Sequence, residues 1–309
     1  MFSKSFILAT TAIFLTTSLF TQTTDIMWQM CLGSSEKDYA QSVSRLGNDY
    51  FYGISVWTGE EGMTNHHGSG EAWIVVSDSV GTIKWERCYG GSKGDANKKI
   101  LPIDKSYLYL LNSTSSEDGD IQSGNNGWVD AWVVKIDRQG NIIWEQTYGG
   151  PNNEQVRDAF VTPDGGLLFM TRTTSAGGDI SKYYGARDIW LCRIDSFGGI
   201  IWEKTIGNQG YDNAMKMKLT SDSTFVVLAN FNGNGGMVLC DFMGPWDGTD
   251  VWLVEMDLDG NILRQSCYGG SHDDLGYDIV NTEDGFTFTA TTRSYDGDVC
   301  GWHGNYDIW

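Results

Sequence analysis

The stretch DAWVVKIDRQGNIIWEQTYGG, from Asp130 to Gly150, decides the fold because the chain repeats it in altered form. DIWLCRIDSFGGIIWEKTIGN runs from Asp188 to Asn208, and DVWLVEMDLDGNILRQSCYGG from Asp250 to Gly270. Each copy holds two short runs, such as AWVVKID (Ala131 to Asp137) and IIWEQTY (Ile142 to Tyr148), around a glycine-containing turn. Runs of that length, rich in β-branched and aromatic residues and bounded by Gly, Asn and Asp, predict strands joined as hairpins. VRDAFVT (Val156 to Thr162), the turn PDGG (Pro163 to Gly166) and LLFMTRT (Leu167 to Thr173) add two more, so that one period carries four strands.

Two tryptophan series fix the period at about sixty residues. One is Trp73, Trp132, Trp190, Trp252 and Trp309; the other is Trp28, Trp85, Trp144 and Trp202, with Arg264 in the fifth place. Repetition at a fixed period is the mark of a repeat architecture. The links are too short for parallel crossovers, and no amphipathic helix pattern interrupts the strands. The prediction is an all-β fold, a β-propeller of four-stranded antiparallel blades with five blades in this chain, since ring closure protects sheet edges. An open solenoid is the competing architecture, but the period is long for a simple coil. The repeat domain is placed at 25–309, with units beginning near 25, 71, 130, 188 and 250. IMWQMCL (Ile26 to Leu32) matches the second strand of a unit, and the last unit is incomplete at DIW (Asp307 to Trp309). Either the two ends share a blade or the chain is a slice of a longer protein, and the second is the expectation.

The 309 residues include 40 acidic and 21 basic side chains, a net charge of -19 spread through the repeats. Such a surface repels nucleic acid and anionic bilayers and permits cations, basic proteins and neutral glycans. Residues 1–22, with Lys4 ahead of the apolar stretch Phe6 to Phe20, are expected to be a signal peptide. The run is short for a bilayer span, so no membrane insertion is expected after cleavage. The location expected is extracellular or at the cell surface, with the periplasm as alternative. Among six cysteines, Cys31, Cys88 and Cys267 fill one repeat position where Thr147 and Thr205 stand in other units, and Cys192 replaces the valine of Val75, Val134 and Val254. This predicts small strand residues and no disulfide framework.

Acidic residues also recur once per unit. Asp38, Asp95, Glu154, Asp212 and Asp274 follow the YGG-like segments, and Glu71, Asp130, Asp188, Asp250 and Asp307 precede the first-series tryptophans. Recurrence in every unit favours carboxylates that fix turns by accepting backbone N–H groups over catalytic groups, which are usually unique. Both tryptophan series are read first as packing between sheets, ahead of sugar stacking. The loops Ser115 to Asp130, Thr174 to Asp188 and Arg293 to Asp307 are rich in Gly and Asp. Calcium takes roughly six to eight oxygen ligands. Asp118 with Asp120, or Asp296 with Asp298, could begin such a cage, although plain turns explain them as well. No cofactor other than calcium is expected.

Variable loops on a rigid scaffold are where specificity sits. Trp128, Tyr183, Tyr184, Trp246 and Trp302 are therefore the candidate contact groups for a carbohydrate or protein ligand. Histidine occurs only as His66, His67, His272 and His303, and no GxSxG, HExxH or GxGxxG motif is present. The functional expectation is an exported, non-catalytic surface or binding module. The alternative is a secreted propeller enzyme, glycoside-active or quinoprotein-like.

The repeat text, DxWVVKIDxxGNIIWEQTYGG followed by DGG and a Gly/Asp loop, resembles repeats of secreted Bacteroidetes proteins, many of which end in a type IX secretion sorting domain. That resemblance covers nearly all of the chain after the apolar leader and implies a surface or adhesive role; no sorting domain is recognisable in the sequence. Asp137, Gly140 and Trp144, repeated as Asp195, Gly198 and Trp202, also resemble the repeats of quinoprotein propellers and their non-enzymatic relatives in outer-membrane assembly. This second resemblance implies the same fold. The quinone enzymes carry adjacent cysteines, and no two cysteines are adjacent here.

Overall fold

A computed structural model describes residues 26, 28–57, 63–240, 243–244, 248–283 and 285–309; the leader segment 1–22 and Trp246 lie outside the described residues. The first sheet comprises β1 (Asp38–Leu46), β2 (Asp49–Val56), β3 (Glu71–Ser77) and β4 (Ile83–Tyr89). The second comprises β5 (Asp95–Pro102), β6 (Tyr107–Thr114), β7 (Asp130–Asp137) and β8 (Ile142–Tyr148). The third comprises β9 (Glu154–Val161), β10 (Leu167–Thr173), β11 (Asp188–Ile194) and β12 (Ile200–Ile206). The fourth comprises β13 (Asp212–Leu219), β14 (Thr224–Phe231), β15 (Asp250–Asp257) and β16 (Ile262–Tyr268). The fifth has three strands, β17 (Asp274–Thr282), β18 (Gly285–Thr292) and β19 (Asp307–Ile308).

Every pairing within a sheet is antiparallel and follows chain order. The first strands of successive sheets lie side by side, β1 by β5, β5 by β9, β9 by β13 and β13 by β17. No helix occurs among the described residues. This is a β-propeller-like fold.

The sheets are out of phase with the units read from the sequence. Units opening near 71, 130, 188 and 250 begin at the third strand of a sheet, so each sheet joins the second half of one unit to the first half of the next. Hydrophobic alternation locates strands but does not say which neighbours share a sheet. Residues 28–32, part of a segment that matches an outer strand in sequence, form no strand. Trp28 nevertheless donates its indole N–H to Ser79 O at 3.1 Å, over the turn between β3 and β4. Trp85 does the same to Arg138 O at 3.0 Å, Trp144 to Ser196 O at 3.1 Å and Trp202 to Leu258 O at 2.8 Å, each reaching the corresponding turn of the next sheet. Gly140, at φ +82°, takes that turn into the left-handed region, and a side chain there would meet the Trp85 ring at 3.0 Å.

The first tryptophan series works within a sheet. Trp73, Trp132 and Trp190 donate to Glu86, Glu145 and Glu203 on the neighbouring strand at 2.7, 2.8 and 2.8 Å, and Trp252 donates to Gln265 at 3.1 Å. Each indole is thereby buried with its one donor satisfied. Sheets meet on both faces, which is why β7 and β11 are almost continuously apolar and buried. Leu168, Met170 and Ile189 of the third sheet pack with Phe225, Val227 and Trp252 of the fourth.

The cysteine expectation holds at Cys88 and Cys192 and fails at Cys267. Cys240, in the loop between β14 and β15, is disulfide-bonded to Cys267 of β16, while Cys88 and Cys192 are buried and free. Cys267 does occupy the repeat position of Thr147. In the second sheet Thr147 holds its loop by donating to Gly124 O at 2.8 Å; the fourth sheet makes the equivalent tie covalently.

Candidate ligand-binding site

The five first strands share one irregularity. Each carries a β-bulge one turn of pleat after its acidic first residue, and the extra residue is Gln41, Lys98, Arg157, Met215 or Tyr277. A bulge re-aims a side chain and is common where a strand contributes to a site. Three of these residues, Gln41, Lys98 and Arg157, line a cavity of about 560 Å³ between the first three sheets, together with Tyr39, Trp57, Ser113 and Gln155. Trp57 is 59% exposed and Tyr39 50% exposed, so both rings are free to stack on a ligand.

Arg172 donates from Nη2 to Gln155 Oε1 at 2.5 Å, and Arg187 donates from Nη1 to Asn213 at 3.1 Å with its guanidinium 5.4 Å from the Tyr211 ring. None of Lys98, Arg157, Arg172 and Arg187 pairs with a carboxylate among the described residues, and the buried Arg187 Nε has no hydrogen-bond partner there. Loss of water and then mutual repulsion act on this group. Desolvation and the Arg157 charge lower Lys98, desolvation and Arg187 lower Arg157, and desolvation with Arg187 and Arg157 brings Arg172 down to about 10.

The acids around the cavity are occupied elsewhere. Asp95, in its lining, accepts from Gly91 N at 2.7 Å, Ser116 Oγ at 2.8 Å and Thr114 Oγ1. Asp158 is paired with Lys99 and accepts from Met217 N at 2.9 Å.

A second recurrent arrangement lies beneath the crossovers between sheets. The first crossover glycine sits against two carboxylates, one from the third strand behind it and one from the first strand ahead. At Gly90, an added Cβ would meet Glu71 Oε2 at 2.5 Å and Asp95 Oδ2 at 2.7 Å. Asp130 with Glu154, Asp188 with Asp212 and Asp250 with Asp274 repeat it at Gly149, Gly207 and Gly269. All eight acids are buried, and an oxygen on each of Glu71, Asp130, Asp188, Asp212, Asp250 and Asp274 lacks a hydrogen-bond partner. Burial and a neighbouring like charge both disfavour ionisation. Burial first, and then the neighbouring Asp95, raises Glu71 to about 7. Burial and Glu154 raise Asp130 to about 7, burial and Asp188 raise Asp212 to about 8, and burial and Asp274 raise Asp250 to about 7. Burial raises Asp188 to about 6.

The residues singled out from the sequence are dispersed. Trp128 is 72% exposed in the β6–β7 loop, Tyr183 and Tyr184 are half-buried in the β10–β11 loop with Lys182 5.0 Å from the Tyr184 ring, and Trp302 packs at 5.9 Å on Tyr295. None of them lines the cavity. Asp118 accepts from Ser92 N at 2.7 Å and Asp120 from Gly90 N at 3.3 Å; Asp296 and Asp298 do the same for Ser271 N at 2.8 Å and Gly269 N at 3.3 Å. These pairs thus stitch loop to crossover, and no group of three or more His, Cys, Asp or Glu suited to a metal occurs among the described residues. Lys98 and Arg157 are the residues that sequence reasoning passed over. Their signal is variability at one position of an otherwise regular strand, where Gln, Lys, Arg, Met and Tyr alternate.

A wider cleft, about 630 Å³, opens where Trp28, Met30 and Leu32 face Val43 and Ile54 of the first sheet. Its walls are side chains of the kind that bury between sheets elsewhere in the molecule.

No family model matches the sequence, and no curated protein matches it. Among solved structures, a protein of unknown function from Bacteroides caccae aligns over 71% of this chain and 61% of its own, at 11% identity and a TM-score of 0.40. Kuenenia stuttgartiensis hydrazine synthase aligns over 80% and 73% at 13% identity and 0.36, and a Synechocystis apocarotenoid oxygenase over 79% and 52% at 11% identity and 0.43. The chain therefore spans about three fifths of the first protein and half of the third. Similarity this low carries nothing about activity, and the fold rests on the sheets described above.

Proposed function

We propose that this chain is an exported, non-catalytic binding module, acting outside the cell or at its surface, that takes a carbohydrate ligand at the cavity between the first three sheets. The observation that carries this reading is the lining itself, in which the exposed rings of Tyr39, on β1, and Trp57, just past β2, stand beside polar and cationic side chains. Such a surface suits recognition, since aromatic rings bury area at small entropic cost and polar neighbours set orientation. Of the paired carboxylates that would serve glycoside hydrolysis, Asp95 borders the cavity but spends its oxygens on Gly91, Ser116 and Thr114, and its partner Glu71 is buried beneath Gly90. Export is supported by the leader composition and by the Cys240–Cys267 bond, which suits an oxidising compartment.

The test is to apply the purified chain to an oligosaccharide array and then incubate it with every saccharide that binds. Binding without cleavage is expected. Turnover of a bound saccharide, or an array with no binder, contradicts the reading.

A further inference from the structure

The acidic surface and the cationic cavity point in opposite directions. With a net charge of -19 the protein as a whole repels a polyanion. At physiological ionic strength, however, charges beyond about 8 Å are largely screened, so a small ligand inside the cavity feels mainly its walls. There, Lys98 and Arg157 line the space, Arg172 stands behind Gln155, and Arg187 holds a buried Nε with no partner. Four cations gathered without a carboxylate partner among the described residues repel one another and destabilise the empty site. In a chain with nearly twice as many acids as bases, that arrangement needs a reason.

Packing supplies none. Other cations of this protein either pair with a carboxylate, as Lys99 does with Asp158, Lys84 and Arg138 with Asp49, and Arg193 with Asp164 at 2.7 Å, or cap a backbone carbonyl of the next sheet, as Arg87 does at Gly140 O at 2.7 Å. Lys98 and Arg157 are placed by the bulge, the one irregularity that every first strand carries, and the corresponding positions in the other sheets hold uncharged residues.

Resting on the binding-module reading above, we infer that the cavity recognises a short acidic saccharide, its carboxylate or sulfate held by Lys98 and Arg157 with Arg172 and Arg187 in support, and its ring faces on Tyr39 and Trp57. Guanidinium groups bind such oxyanions through paired, charge-assisted hydrogen bonds, and the flat rings suit the apolar faces of sugars. A long polyanion is disfavoured by the surrounding acidic surface.

The experiment is calorimetric titration of the full chain with tetragalacturonate, its methyl ester, a sulfated disaccharide and a tetra-aspartate peptide. Tetragalacturonate or the sulfated disaccharide is expected to bind, and which of them binds distinguishes carboxylate from sulfate. The methyl ester, which has the same rings without charge, is expected to lose about tenfold or more. Arg157→Gln, on an exposed side chain, is expected to cost a similar factor, and Lys98→Gln provides a second variant; unchanged thermal melting of each shows that the fold is intact.

Equal affinity for the ester overturns the acidic class while leaving the binding module standing. Unaltered affinity in both variants places the site elsewhere and overturns the inference. Tighter binding of the aspartate peptide overturns the saccharide class. Absence of binding to all four probes by a chain that binds neutral sugars on the array overturns the anion inference alone, whereas an empty array as well removes the binding-module reading with it.

Discussion

Val43 of the first sheet and Ile100 of the second occupy the same place in their strands, two residues past the bulge, yet Val43 is 64% exposed and Ile100 is 1% exposed. The equivalent residues Ala159, Met217 and Ile279 of the later sheets are also buried, at 1, 3 and 2%. A blade's first strand is therefore apolar for the sake of the sheet before it, and its burial depends on a neighbour more than on its own sheet. Among the described residues, the side chains facing the first sheet there are Trp28, Met30 and Leu32, with Trp28 anchored over the β3–β4 turn.

The largest expected difference follows directly. Ile100→Asp buries an unpaired charge and should cost about 4 kcal/mol or more, whereas Val43→Asp should change stability by about 0.5 kcal/mol at most. Urea denaturation of both variants checks this. An equally large loss at Val43 would mean that something covers that face in solution.

The loops that join second and third strands allow a sharper comparison. Cys240–Cys267 closes a separation of 27 residues, and its reduction should lower stability by about 3 kcal/mol. Thr147→Ala, at the same position of the second sheet, should cost about 1 kcal/mol through its hydrogen bonds. Denaturation with and without reductant, on the native chain and on Cys240→Ser, separates the two.

The carboxylate pairs predict a pH dependence. Glu71, Asp130, Asp188, Asp212 and Asp250 hold their protons more tightly folded than unfolded, with folded values between about 6 and about 8. Their stabilising contribution is therefore complete below about pH 4, the ordinary carboxylate range, and is lost as the pH rises through 6 to 8. The melting temperature should be higher at pH 5.5 than at pH 8.5 by several degrees, and Asp212→Asn should flatten that slope. A melting temperature that climbs between those pH values would refute the raised carboxyl values.

The smallest effect concerns the second tryptophan series. Trp144→Phe removes one hydrogen bond to the next sheet and should cost about 1 kcal/mol, while Trp28→Phe, at an exposed version of the same contact, should cost less.

These contrasts show what was legible in the sequence. Strands, turns and period were readable because tryptophans, turn glycines and acidic residues recur in every unit, and each recurrence has a repeated physical job. The sheet boundaries were not, since a hairpin such as Ala131 to Tyr148 looks the same whether it opens a sheet or ends one. Cys240 was invisible as a disulfide partner because it stands in the loop that varies most between units, where the second sheet has Ser123 bonded to Thr147. The site was obscured in a different way: Lys98 and Arg157 sit within strands, where charged residues read as solvent-facing, and only the bulge turns them towards the cavity. Attention to exposed loop aromatics led instead to Trp128, Tyr183, Tyr184 and Trp302, which belong to separate loops.

The most direct test of the account is hydrogen exchange, followed by mass spectrometry, on the full chain with and without tetragalacturonate. Recognition by the bulged first strands predicts slower exchange in peptides covering 95–99 and 154–158, with the loops 115–129, 174–187 and 293–306 unchanged. Protection confined to those loops would contradict it and return the site to the loop aromatics.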